Sequence, residues 1–115
     1  MEILEETNES ALVLTPQGRL DSRTAPLLQE HLLGRIDGSP SVLIDCSRLD
    51  YVSSAGLRVF LMGAKRCKQA ERGFAICSLQ NAVKEVFEIS GFLTILTSYP
   101  DRKKALQAIS AAAAG

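Results

Sequence analysis

The chain has no tryptophan and only 5% of its residues are aromatic, which leaves little from which to build a platform for stacked bases. Charge of one sign is missing too. Lys plus Arg and Asp plus Glu both number 13, for a formal net charge of +0. With no basic stripe along the sequence, no nucleic-acid partner is expected. There is a single histidine, His31, so only one imidazole could act as a general base. It precedes Leu32 in the middle of a predicted helix, where a partly exposed structural histidine is the commoner case. Three cysteines, Cys46, Cys67 and Cys77, are odd in number and show neither CxxC nor histidine-paired spacing, and they read as small buried hydrophobes. No metal site is expected: Asp21, Asp45 and Asp50 are isolated carboxylates at element ends, without EF-hand or HExxH company. The phosphate cradle GxxxxGK[ST] is absent as well. Met1 to Glu6 is acidic and lacks the apolar core of a signal peptide, and no apolar run approaches the roughly 20 residues of a membrane span. These absences lead to the expectation of a cytoplasmic protein with no cofactor.

What is present is an ordinary globular composition. At 115 residues with 46% apolar content, the chain can form one domain that buries about two-thirds of its unfolded surface. Short β-prone runs at Ile3 to Glu6 and Ala11 to Thr15 flank the polar turn cluster Thr7-Asn8-Glu9-Ser10, predicting a hairpin whose second strand is closed by Pro16-Gln17-Gly18. Arg19-Leu20-Asp21 follows as a brief extended piece. Ser22 or Thr24 then caps a helix with Leu28, Leu32 and Ile36 inside, stopped by Asp37-Gly38-Ser39-Pro40. Ser41 to Asp45 reads as a central strand and Phe74 to Leu79 as a second buried strand. A helix over Ala55 to Ala70 lies between them. Asn81 is expected to cap a third helix carrying Val83, Val86 and Phe87, which ends at Ser90-Gly91. Thr94 to Thr97 predicts a short edge strand, and Pro100 opens a last helix with Ala105, Leu106 and Ile109. The expected fold is α/β: a mixed four- to five-stranded sheet with about four helices packed mainly on one face. The domain should span 1–110, with 111–115 as a disordered tail.

The most informative stretch is VLIDCSRLDYVSSAGLRVFL, Val42 to Leu61. A solid apolar run passes through a short polar loop to Ser53-Ser54. Beyond them Leu57, Phe60, Leu61 and Ala64 recur at helical spacing. A hydroxyl is thus set where free N–H groups and the helix dipole favour negative charge. It can serve as a cap or as a receiver of phosphate. A nucleophile elbow needs G-x-S-x-G, whereas Val52-Ser53-Ser54-Ala55-Gly56 has valine in the first glycine position. With no second histidine, a self-contained hydrolase is not expected, and the chain is read as a non-enzyme.

D45-C-S47-R-L-D50-Y-V-S-S54-A-G56-L57 resembles the signature of STAS-domain anti-sigma factor antagonists. Gly18-Arg19-Leu20-Asp21 is similar to that family's G-x-L-D piece, and Ser90-Gly91-Phe92 to its later Ser-Gly-hydrophobe. The resemblance runs from about Ile3 to Ile109 in the same element order. It implies a STAS-like fold and a regulatory role. The unphosphorylated form would bind a serine-kinase anti-sigma factor and release the sigma factor. Phosphorylation of Ser54 would turn it off, and a serine phosphatase could reverse the change. Ser53 stands where the family often has Asp, which makes it a rival acceptor.

The implied partner-facing residues are Asp21, Tyr51, Val52, Ser53, Gly56, Arg58, Val59 and Met62. On a helical wheel, Leu57, Phe60, Leu61, Ala64 and Lys68 point inward. Arg58, Val59, Met62, Arg66 and Gln69 fall on the other side, where Val59 and Met62 either meet a partner or pack on the third helix. For Asp21 and Asp45 the plain reading is a loop-tying hydrogen bond. The alternative role is a STAS subunit of a transporter, lipid-trafficking or scaffold complex, with Ser54 only a helix cap. The free chain is expected to be a monomer.

Overall fold

The computed structural model describes residues 1–7, 11–35 and 41–114, with side chains described as far as Ile109. The expected central strand, β3 (Ser41–Asp45), is buried along its whole length, as its unbroken apolar run requires. Its neighbours are β2 (Leu12–Leu20) and β5 (Gly73–Cys77), both parallel to it. β1 (Glu2–Thr7) pairs antiparallel with β2 as the first half of the hairpin. The hairpin turn at Asn8 to Ser10 and the stop signal Asp37 to Pro40 lie outside the described residues, as does Ile36.

Among the described residues six strands make the sheet, in the order β1-β2-β3-β5-β6, where β6 is Ser98–Tyr99, with β4 (Leu49–Val52) paired to β2 off that path. Two expectations change here. The stretch after Asp45, read as a polar loop, contains β4, in which Leu49 and Val52 are buried and Asp50 and Tyr51 exposed. Four residues are too few for period-2 patterning to stand out, and Leu49 and Val52 are buried through tertiary packing, by pairing with β2 and by joining the larger core. β2 itself does not close at Pro16-Gln17-Gly18 but runs on to Leu20. It can do so because its pairing with β3 ends at Leu14 and that with β4 begins at Gly18. Pro16 falls in the gap between these two parallel partners. Gly18 takes a φ of +93° at the register shift, a conformation that needs glycine.

Helices α1 (Ala25–Arg35), α2 (Ser54–Gln69) and α3 (Asn81–Ile89) cover one face, and α4 (Arg102–Ala114) covers the other. The alternation of the strands decides which residues each face receives. Leu12, Leu14, Val42, Ile44 and Ile76 join Leu28, Leu32, Leu57, Phe60, Val83 and Phe87 in the larger core. Val13, Leu43, Ala75 and Cys77 point the other way, onto Ala105 and Ile109 of α4. Phe60 and Phe87 meet edge to face at 5.2 Å, joining α2 to α3, a geometry that favours the rings beyond area burial alone.

Smaller expectations shift as well. The edge strand β6 is Ser98–Tyr99, not Thr94 to Thr97; a 3₁₀ turn, Phe92–Thr94, occupies part of the latter. α3 is preceded by Gln80 in the cap position rather than by Asn81. Asp101 caps α4, accepting the Lys104 N–H at 2.8 Å.

A serine-led helix at the end of a buried ribbon

β4 hands the chain directly to α2. Val52 is 2% exposed, wedged beside Leu20, and the Ser53 N–H donates to the Leu20 carbonyl at 2.9 Å. The backbone then turns, with Ser53 extended in the cap position and Ser54 opening the helix. Ser54 is therefore not the cap, because the helix begins one residue earlier than its apolar spacing suggests. The two hydroxyls differ in access. Ser54 is exposed, whereas the Ser53 Oγ is buried and meets no hydrogen-bond partner among the described residues. Ser53 makes no side-chain capping bond, so the free N–H groups of the first turn remain available to an anion.

The pairing of Leu20 with Val52 brings the end of β2 alongside this turn. Arg19 lies 4.1 Å over the Tyr51 ring, and Tyr51 is 39% exposed. Asp21 ties the loop into α1: its Oδ1 accepts the Arg23 N–H at 2.9 Å and the Thr24 N–H at 3.3 Å. Its own N–H donates to Thr24 Oγ1 at 2.9 Å. The Arg23 N–H, more than any other contact, holds the Asp21 carboxyl below its ordinary pKa, so it is an anion at neutral pH. Gln80 staples the ribbon from the other side, donating to the Ser47 and Leu49 carbonyls at 3.0 Å each. Nothing in the sequence marks Gln80, because its partners lie 31 and 33 residues away.

The expected docking residues divide. Asp21, Tyr51, Ser53, Arg58 and Met62 reach the surface, with Asp21, Ser53 and Met62 half-buried and the Ser53 Oγ turned inward. Val52, Gly56 and Val59 do not: all are buried, and Val59, at 4% exposed, belongs to the core. They shape the site from beneath. Val59 and Met62 line a groove against Ala25 and Pro26 of α1, not α3 as the helical wheel left open. Lys68, expected to point inward, is exposed, and Cys67 takes that position.

Asp45 is not part of this site. Its Oδ2 receives two bonds from the Arg102 guanidinium, at 2.9 and 3.0 Å, and its Oδ1 accepts the Ser47 N–H at 3.0 Å. Arg102 also pairs with Glu6 and reaches Thr15 Oγ1. His31 lies 3.5 Å from Glu5 of β1. Among the described residues no helix is long and apolar enough to cross a membrane, and no metal-binding cluster is found.

Comparison with known proteins places this arrangement. The STAS domain family matches residues 2–105. The chain belongs to the STAS-domain family of anti-sigma factor antagonists. BtrV of Bordetella bronchiseptica, named as an anti-sigma factor antagonist, is 39% identical over 113 residues, covering 97% of each chain. Among solved structures, unphosphorylated SpoIIAA superposes with a TM-score of 0.81 at 15% identity, over 96% of this chain and 97% of that one. SpoIIAA of Bacillus has also been solved phosphorylated. A sulfate transporter family protein from Wolinella succinogenes shares the fold at TM-score 0.81 and 12% identity, over 96% of this chain and 93% of that one. These two likenesses speak to the STAS fold, while the BtrV relationship speaks to the regulatory family.

Proposed function

We propose that the chain is a phosphorylation-gated protein switch whose unmodified form binds a serine-kinase anti-sigma factor and frees the sigma factor held there. The observation that carries this reading is the exposed Ser54 hydroxyl at the first position of α2, in a chain 39% identical to a named antagonist. The kinase brings ATP, Mg²⁺ and its own base. The Ser54 Oγ–phosphorus bond forms as the bond from the γ-phosphorus to the β–γ bridging oxygen breaks, ADP leaves, and the hydroxyl proton passes to the kinase. A serine phosphatase resets the switch by hydrolysis. Phosphate adds roughly −1.5 to −2 charges. The first turn of a helix tolerates that charge, but a closely packed protein interface must desolvate or repel it. A penalty of about 1.4 kcal/mol weakens binding tenfold.

The test is intact mass after incubation with candidate kinases and ATP. One added phosphate is expected in wild type and Ser53→Ala, and none in Ser54→Ala. Ser54→Asp should bind the kinase at least about tenfold more weakly with unchanged circular dichroism; equal affinity would rule out charge gating. The Wolinella structure supports a second reading, a STAS subunit of a transport complex. Kinase-dependent modification of Ser54 separates the two.

A further inference from the structure

Arg58 lies one helical turn beyond Ser54 in α2, and residues four apart share a helix face. Cα–Cβ bonds in a helix tilt toward its N-terminus, so a long side chain at position 58 covers the turn that carries position 54. Arg58 is exposed and has no anionic partner among the described residues. It also stands where two shallow grooves between α1 and α2 meet. One, of about 350 Å³, passes Pro26, Gln29, Ala55 and Met62; the other, of about 470 Å³, passes Leu33, Met62 and Lys65. Among the described residues neither has an acidic residue in its walls. In a chain of net charge +0, α2 carries Arg58, Lys65, Arg66 and Lys68 and no Asp or Glu.

We propose that Arg58 receives the phosphate of phospho-Ser54 within the same helix. Modification then does two things, adding charge at the head of α2 and withdrawing the guanidinium from the α1–α2 grooves, where it otherwise faces carboxylates of the partner protein. The inference rests on the reading of Ser54 as the acceptor and names how that acceptor is read. A guanidinium fork matches phosphate oxygens in pairs. A rival cation across the ribbon, Arg19, is engaged by the Tyr51 ring, and Asp21 is tied to backbone N–H groups.

The test uses the full chain with phosphoserine placed at position 54 by genetic code expansion, titrated by ³¹P NMR. The second ionisation of the phosphate should lie roughly half a pH unit lower with Arg58 present than in Arg58→Gln. Arg58→Lys should fall between them, since an ammonium keeps the charge without the fork, and Arg19→Gln should leave the midpoint where it was. Identical midpoints with and without Arg58 overturn the inference, while Ser54 remains the acceptor. A chain that no kinase modifies at Ser54 would instead sink the partner-switching reading, and the titration would still decide the role of Arg58.

Discussion

At residue scale, closeness of packing decides what α2 tolerates. A Cβ at Gly56 would come within 2.8 Å of Leu20 and Val52, and one at Gly63 within 2.6 Å of Leu32 and 2.9 Å of Phe74. Leu20 and Val52 are themselves buried and hold the ribbon that positions Ser54. Gly56→Ala should therefore destabilise the domain by about 1–3 kcal/mol by overpacking, against the gain expected from helix propensity alone. Urea unfolding measures it, and a stabilised Gly56→Ala would show that the ribbon yields. Ser53 makes the opposite case. A serine at a helix cap normally contributes about 1 kcal/mol, but this hydroxyl is buried and unpartnered. Ser53→Ala should be neutral or slightly stabilising in the same measurement; a loss of about 1 kcal/mol would mean that the hydroxyl caps α2 in solution.

At the scale of elements, one clamp joins three parts of the sheet to α4. Arg102 at the start of α4 holds Asp45 at the end of β3, Glu6 of β1 and Thr15 of β2. Burial pushes the Asp45 carboxyl up, but the Ser47 N–H and the Arg102 guanidinium outweigh it, and the net direction is downward from 3.8. A carboxyl lowered in the folded state stabilises fully above its ordinary value, and that contribution fades as pH falls through the folded-state value. Arg102 is 36% exposed against 8% for Asp45, so solvent screens part of the pair. Arg102→Ala should cost about 1–3 kcal/mol near pH 7, mainly by leaving Asp45 short of partners. The gap from wild type should shrink below pH 3.8. Denaturation midpoints across pH 3 to 7 check it (roughly the window of carboxylate titration); a gap that grew with acid would contradict the lowered Asp45.

At the scale of the molecule, the two cores enclose all the thiols. Cys46 and Cys67 belong to the larger core and Cys77 to the smaller. Burial drives the Cys67 and Cys77 thiols up to about 11 and pushes Cys46 well above its ordinary value. Thiolate is the reactive form, so at pH 8 the native protein should react with a disulfide reagent only as fast as it opens. All three thiols should titrate promptly in denaturant. A rapid native-state thiol would show that one face of the sheet opens locally.

The sequence was enough for the element types with strong local patterns. The apolar run of β3, the helical spacing of α2 and the two β-prone runs of the first hairpin each reflect a few neighbouring residues. It also marked Ser53-Ser54 and Asp21 through the motif they share with the family. It named Ser54 over Ser53 by motif position but not their exposure, which depends on how β4 seats against β2, and β4 has no pattern of its own. Val59 was misplaced for a related reason: helical periodicity divides a wheel into two sides, yet α2 is buried on the sheet and also against α1. Gln80 and Arg102 left no local trace, since their partners are 30 and more residues distant. Local sequence fixes what one stretch of chain can adopt alone; strand pairing and helix packing decide which atoms solvent, or another protein, can reach.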